Sequence, residues 1–127
     1  MTISVGLKLT PKSESFLKKF PDAFKKGFYK GMLEAMKLAE KEAKQNAPVK
    51  TGTLRRSIRS EVENTGFESV GSLFSHLIYS AVIELGWDAR NIKAQPYLQP
   101  ALQDNLEKFE KRIEDAIERE VMRIPSE

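Results

Sequence analysis

The sequence contains no cysteine and a single histidine, His76, among its 127 residues. The absence of cysteine excludes disulfide bonds, thiol catalysis and cysteine-based metal sites. One histidine without cysteine partners cannot form a zinc site of the ordinary kind. The phosphate-binding G-x-x-x-x-G-K-[ST] loop and the dinucleotide fingerprint are missing as well. We therefore expect no metal, no cofactor and no catalytic residue, and predict that the protein is not an enzyme.

Long apolar runs are also missing. No segment approaches the ~20 apolar residues that a bilayer-spanning helix needs. The N-terminus lacks the basic start and apolar core of a secretory signal. With 40% hydrophobic and 31% charged residues, the composition is typical of a folded soluble protein. These features predict one domain over residues 1–127, made and kept in a cytoplasm without membrane contact.

The net charge of +3 conceals an uneven distribution along the chain. Residues 1–63 carry 14 basic and 7 acidic side chains, a net of +7. Residues 64–127 carry 7 basic and 11 acidic side chains, a net of −4. Such a division suits contacts between unlike surfaces, including head-to-tail contacts around a ring. An ordinary mixed surface would give the same numbers.

Hydrophobic periodicity predicts an α+β fold, in which a small antiparallel sheet packs against two long helices. Residues 22–45 follow the helical period, and Ala47-Pro48 ends the helix because the residue before proline avoids the α region. Gly27 and Gly31, four residues apart, could allow close packing against another element. The apolar face of this helix comprises Phe24, Phe28, Met32, Ala35, Met36, Ala39 and Ala43.

The other predicted elements follow from alternation and turn signals. Residues 3–9 and 55–64 alternate as half-buried strands, and Asn64-Thr65-Gly66 predicts a hairpin turn into a strand over 67–74. Residues 76–85 are almost wholly apolar, so periodicity leaves helix and strand open, although Gly86 favours a short helix. We expect a mobile loop over 87–94 and a last helix from Pro100 to about Arg123.

A basic stripe runs along the first long helix, opposite its apolar face. These candidate DNA-facing side chains lie within about 60° of one another on a helical projection. Neutralising phosphates with such a stripe drives sequence-independent DNA binding. The alternative is the solvated side of an amphipathic helix, diluted by Glu34, Glu40 and Glu42. The stripe comprises Lys26, Lys30, Lys37, Lys41 and Lys44.

Three segments carry the most specific pattern in the chain. Taken in order and with their spacing, they resemble the tail-completion, or head–tail joining, proteins of long-tailed phages, the "gene product ten"-like tail components of lambdoid siphophages. The chain departs from that pattern at Ser80, Val82 and Trp87. The matching residues are Ala47, Pro48, Thr51, Gly52, Leu54, Arg55, Ser57 and Ile58, then Tyr79, Ile83, Glu84 and Gly86, then Pro96, Tyr97, Leu98, Pro100, Ala101 and Leu102.

The resemblance implies a structural virion protein of a phage or prophage. Copies would form a ring, six-fold in keeping with the tail, between a head-side connector or stopper protein and the tail terminator or tail tube protein. DNA would pass through the ring with transient, nonspecific contact. The protein would occupy the host cytoplasm during assembly and then the virion neck. The implied interface residues are Lys50, Thr51, Gly52, Arg55, Arg56, Tyr79, Glu84, Trp87, Pro96 and Tyr97.

Glu84 is a lone carboxylate in an apolar run, where an unpaired buried charge would be costly. We expect it to pair with a basic group of its own subunit or the next, with Arg55 or Arg56 as first candidates. A partly exposed glutamate at a helix end is the alternative. The loops over 50–56 and 87–95 are expected to become ordered on docking to neighbours.

Two other functions stay open at this point. A small basic nucleic-acid-binding module would use the lysine stripe and show duplex affinity that falls steeply with salt. An unrelated interaction protein, such as a small regulator, would lie in a gene neighbourhood without capsid, portal and tail genes.

Overall fold

A computed structural model describes residues 1–48, 52–65 and 67–125. It confirms the predicted α+β class. The three-stranded antiparallel sheet packs against the first long helix, and the last long helix packs against the first helix and not against the sheet. That residues 1–127 form a single domain stays a prediction. The elements are β1 (Thr2–Val5), α1 (Pro11–Lys19), α2 (Pro21–Asn46), α3 (Thr53–Ser57), β2 (Arg59–Asn64), β3 (Ser69–Phe74), α4 (Ser80–Leu85), a 3₁₀ turn (Asp88–Arg90), α5 (Gln99–Gln103) and α6 (Leu106–Met122).

The sheet has the strand order β1-β3-β2, so the predicted β2–β3 hairpin is confirmed. Its register pairs Arg59 with Phe74 at one end and Asn64 with Ser69 at the other. Leu73 on the central strand is buried, whereas Val70 faces solvent. One face of the sheet therefore packs on α2, as the alternation of β2 predicts.

Helix α2 forms the centre of the core. All seven residues of its predicted apolar face are buried. At Gly27 a Cβ atom would collide with the backbone of Ile117, and at Gly31 it would approach the Cα of Ile113 to 2.7 Å. The two glycines therefore allow α2 and α6 to pack backbone to backbone, as their spacing suggests.

The strand predicted over 55–64 is wrong at its beginning. Residues Thr53–Ser57 form the one-turn helix α3, and β2 begins only at Arg59. Gly52 precedes α3 in the left-handed region, with φ of 76°, which a glycine adopts without steric cost. The turn of α3 directs Leu54 and Ile58 into the core.

The last helix is interrupted, in contrast to the continuous helix predicted from Pro100. Helix α5 ends at Gln103, and α6 begins at Leu106. The Asn105 side chain lies in the break, where its Nδ2 donates to the carbonyl of Ala101 at 3.1 Å and to the Glu42 carboxylate. Side-chain bonds to the backbone of this kind compete with the helical ladder.

The segment predicted as a mobile loop over 87–94 has local structure. Trp87 and Ile92 form an isolated antiparallel bridge, with N–H···O distances of 2.8 and 3.0 Å in the two directions. The 3₁₀ turn Asp88–Arg90 lies between them, and Asn91 adopts the left-handed region that closes it. Within the three described ranges, none of the helices has both the length and the apolar content needed to traverse a bilayer.

Candidate functional site

The basic turn after α2 is the first predicted contact region. Gly52 is half-buried, Arg55 lies half-buried on α3, and Arg56 on the same helix is exposed. A Cβ atom at position 52 would approach Nη1 of Arg56 to 2.7 Å, so the arginine folds back over the turn. Lys50 and Thr51, which belong to the same prediction, lie outside the described residues.

Arg55 points towards the C-terminal end of α2. With Glu40, Lys41 and Lys44 it lines a surface hollow of about 280 Å³. Its Nε atom is buried and has no hydrogen-bond partner among the described residues. The Glu40 carboxylate accepts from the backbone N–H of Ser60 at 2.9 Å. This region therefore gathers three cations in one hollow with a carboxylate that also binds the edge strand β2.

The lysine stripe is partly neutralised. Lys30 pairs with Glu120 on α6 at 2.7 Å, and its hydrogen bond holds the pKa of that carboxyl below its usual range. Lys37 and Lys44 lie 3.8 and 3.9 Å from Glu40. Lys26 and Lys41 are exposed and form no ion pair within the described part of the chain. The stripe thus exposes fewer free charges than its sequence suggests.

Glu84 has backbone partners instead of the arginine that we expected. It is 2% exposed, and Oε1 accepts from the N–H groups of Tyr97 at 3.0 Å and Leu98 at 2.8 Å. Oε2 accepts from the N–H of Gln99 at 3.3 Å. No cation lies within ion-pair distance of it among the described residues. The carboxylate satisfies three donors at the start of α5, where helix geometry leaves N–H groups unbonded.

Tyr97 completes this internal link. The side chain is fully buried, and its hydroxyl donates to the carbonyl of Ser80 at 3.2 Å. Burial, together with the nearby Glu84 carboxylate, raises the pKa of Tyr97 to about 12. Two of the three motif segments therefore bind each other inside the subunit. Pro96, beside them, is exposed.

The segment around α4 exposes a cluster of large apolar side chains, which we call the α4 knob. Ile78 is 99% exposed, Leu85 65% and Trp87 47%. The Arg90 guanidinium lies 5.2 Å from the centroid of the Trp87 ring, which keeps the indole at the surface. The α4 knob comprises Ile78, Tyr79, Leu85, Trp87 and Ile92.

Sequence reasoning had placed Tyr79 and Trp87 among the interface residues but missed the other three members of the α4 knob. The available signal was the apolar run before Gly86, which we read as buried. In the structure only Ser80–Leu85 of that run forms a short helix, closed at Gly86 where φ is 75°, and Ile78 lies in the turn before it. A short helix on the surface buries only one side, so Leu85 faces solvent, and Ile78 is exposed in the preceding turn.

Nowhere among the described residues do three or more histidine, aspartate or glutamate side chains come close enough to hold a metal ion. His76 is exposed, and its ring makes no hydrogen bond or ion pair with a described residue. The described surface around α3 and α4 offers apolar and basic contact area.

Comparison with known proteins identifies a family. The family model described as "Bacteriophage HK97-gp10, putative tail-component" matches residues 12–86, which is more than half of the chain. Neither the search of curated proteins nor the search of solved structures finds a match. The matched range includes α2, the basic turn, the hairpin and α4.

Proposed function

Because this chain belongs to the HK97 gp10-like family of bacteriophage tail components, we propose that it is a structural protein of the head–tail junction. It completes the tail as a ring of six copies between the head-side connector or stopper protein and the tail terminator or tail tube protein. DNA passes through the ring. The protein assembles in the host cytoplasm and ends in the neck of the virion.

The observation that carries the proposal is that some motif residues form contacts inside the subunit while others are exposed on its surface. Glu84 and Tyr97 are buried and tie α4 to the start of α5. Tyr79, Trp87 and Pro96 from the same segments are exposed. A rigid interior link that presents apolar groups outward suits assembly, because preorganised surfaces lose less entropy on docking. It does not suit catalysis, and we propose a non-enzymatic role.

The proposal is tested by deleting the gene from the parent phage or prophage and imaging the particles by electron microscopy. We expect DNA-filled heads beside unjoined tails, and restoration of joined virions when the wild-type gene is supplied in trans. Normal joined virions from the deletion strain would refute the proposal. The complementation arm excludes a polar effect on neighbouring genes.

A second candidate, a nucleic-acid-binding module, is favoured by one observation. Lys41, Lys44 and Arg55 line one surface hollow with a single carboxylate, Glu40, and Lys41 has no ion pair within the described residues. Such a cluster would contact DNA phosphates, and each phosphate contact contributes about −0.9 to the slope of log K against log salt.

Fluorescence anisotropy with a short duplex at several salt concentrations separates the two functions. For a junction protein we expect at most weak, sequence-independent binding. A dedicated module would bind tightly with a slope of several units, and the double variant Lys41→Gln with Arg55→Gln would lower that slope by about 2. Lys12→Gln with Lys93→Gln, which removes the same charge elsewhere, is the matched control.

A further inference from the structure

A buried donor without an acceptor lies beside the surface hollow at the end of α2. The Nε atom of Arg55 is shielded from solvent and has no hydrogen-bond partner among the described residues. Leaving such a donor unpaired is costly, and more so when the group is charged. Folded proteins contain few of these atoms, and each one points to a ligand, an ion or a water molecule that accepts the bond. Arg55 therefore calls for an acceptor that the described part of the chain does not provide.

The side chains around this donor carry surplus positive charge. Three cations and one carboxylate face the hollow of about 280 Å³, so its net charge is +2. Lys41 is exposed and forms no ion pair with a described residue. Lys44 lies in the last turn of α2, where it also offsets the negative end of the helix dipole. We call this site the Arg55 hollow, and it is lined by Glu40, Lys41, Lys44, Gln45 and Arg55.

The carboxylate of Glu40 is already engaged with other groups. Its Oε1 accepts from the backbone N–H of Ser60 at 2.9 Å. Its Oε2 lies 3.8 Å from Nζ of Lys37 and 3.9 Å from Nζ of Lys44. Within the described ranges, Arg55 forms no ion pair with it or with any other carboxylate. The acceptor for Arg55 is therefore not supplied by Glu40.

The flanks of the Arg55 hollow are basic as well. Arg56 on α3 and Arg59 at the start of β2 are both exposed. Glu42, the next carboxylate along α2, accepts from the Asn105 side chain beside α6. Glu61, the first carboxylate of β2, does not line the hollow. The surplus of positive charge therefore extends beyond the lining itself.

We infer that the Arg55 hollow binds a phosphate group. One oxygen of the phosphate accepts from Nε–H of Arg55, and Lys41 supplies a second cation. Arginine suits this role because its planar guanidinium matches the geometry of phosphate oxygens. A phosphate carries about −1 in a nucleic-acid backbone and about −1.5 to −2 as a monoester at pH 7, so it offsets most of the charge of the hollow. A water molecule accepts the same bond but leaves that charge unneutralised.

Two sources of phosphate fit this site. One is the backbone of the DNA that passes through the ring, and the other is free inorganic phosphate. The site itself does not depend on the junction role, whereas its use by DNA rests on the proposed function. Diffuse electrostatic contact with DNA needs only positive charge, but the Arg55 hollow needs the Nε–H group. Replacing arginine by lysine separates the two, because the charge is kept and that donor is lost.

Heteronuclear NMR observes the Nε–H groups of arginine side chains directly. The full chain is titrated with sodium phosphate, and sodium chloride keeps the ionic strength constant. We expect the Arg55 Nε–H signal, assigned by its absence from the Arg55→Lys spectrum, to shift with a Kd on the order of 1 mM. The Arg56 Nε–H signal should stay in place, and sodium acetate should bind several times more weakly. An unmoved Arg55 signal, or an equal response to acetate, would overturn the inference.

Three variants test the site, with binding read from backbone amide shifts after circular dichroism has shown native folding. Arg55→Lys should weaken phosphate binding at least about tenfold, because one charge-assisted hydrogen bond is lost. Arg56→Lys, the same exchange at the exposed neighbour on α3, should leave Kd within about twofold. Lys41→Gln, at an exposed position that does not affect the core, should weaken binding severalfold. Equal Kd values for the two lysine variants, or no effect of Lys41→Gln, would refute the site.

A short DNA duplex at low salt identifies the source of the phosphate. If the DNA backbone occupies the hollow, Arg55→Lys should bind the duplex severalfold more weakly than Arg56→Lys in fluorescence anisotropy. The slope of log K against log salt should be the same for both, because neither exchange removes a charge. Equal duplex affinities, with inorganic phosphate still bound through Arg55, would assign the hollow to free phosphate and support the site.

Particle imaging separates this inference from the proposed function. Unjoined tails in the deletion strain, without phosphate binding that depends on Arg55, would retain the junction role and overturn the phosphate site. Phosphate binding that depends on Arg55, combined with normal virions in the deletion strain, would support the site and refute the junction role.

Discussion

Replacing Glu84 by alanine would leave the N–H groups of Tyr97, Leu98 and Gln99 without their acceptor. Glu84, Tyr97 and Leu98 are buried, so water cannot replace the carboxylate at the first two donors without rearrangement. Each orphaned buried donor costs roughly 1–3 kcal/mol. Because Gln99 is more exposed than its neighbours, we take the low end of that range and expect a loss of about 3–4 kcal/mol in the free energy of unfolding.

The conservative variant Glu84→Gln removes the negative charge but keeps nearly the same side-chain shape, so it separates the two contributions to stability. Its amide oxygen can still accept from two of the N–H groups, but its NH₂ group faces the third donor. We expect a smaller loss of about 1–2 kcal/mol. Asp88→Asn is the matched control, since it removes a nearby exposed acid without changing a hydrogen bond.

Urea denaturation followed by far-ultraviolet circular dichroism measures these differences. For a chain of this length, 1 kcal/mol corresponds to roughly 3–5 °C in Tm, so Glu84→Ala should also unfold about 10–15 °C lower on heating. If Glu84→Ala were as stable as Asp88→Asn, the carboxylate would not hold α4 to α5, and the reasoning would be refuted.

Two further predictions concern the interior. The phenol of Tyr97 has a pKa of about 12 in the folded protein and should ionise only in strong base. Because folding raises this pKa, the neutral phenol contributes its full share to the free energy of unfolding below pH 10. About 2–3 kcal/mol of that free energy is lost as the pH rises through 12. Absorbance at alkaline pH checks this against Tyr97→Phe, and a Tyr97 signal near pH 10 in the folded protein would contradict it. Gly27→Ala should cost about 1–3 kcal/mol despite its better helix propensity, because the added Cβ would approach the backbone N of Ile117 to 2.8 Å. Gly6→Ala, with nothing within 4 Å of the added atom, should stay within ~0.5 kcal/mol of wild type in the same denaturation assay, and equal costs would refute the packing argument.

Long periodic elements were predictable from the sequence. The apolar face of α2 runs from Phe24 to Ala43, more than five turns, so its burial follows from the helical period. The spacing of Gly27 and Gly31 indicates close packing against another element, although it does not identify that element as α6. The alternation in β2 and the turn signal after Asn64 likewise predict the hairpin. These elements position the rest of the chain.

Short elements and backbone bonds were not predictable in the same way. Helix α3 has only five residues, too few for a periodic pattern. The break before α6 depends on the side chain of Asn105, whose bond to Ala101 carries no sequence signature. The donors to Glu84 are backbone groups 13 to 15 residues away, so the residue types around it do not reveal them.

The exposure of the α4 knob was not predictable from hydrophobicity either. A hydrophobic pattern in the sequence predicts burial for every apolar residue that it contains, although many apolar residues of folded proteins are exposed. Ile78 and Leu85 meet that criterion and yet face solvent. A single exposed apolar residue is ordinary, whereas several exposed close together along one segment indicate a contact site.

The most direct test of the central claim is a cryo-electron microscopy reconstruction of the neck of the parent particle. The account predicts a ring of this chain between the head connector and the tail tube. Density for this chain elsewhere in the virion, or its absence from purified particles, would contradict the account.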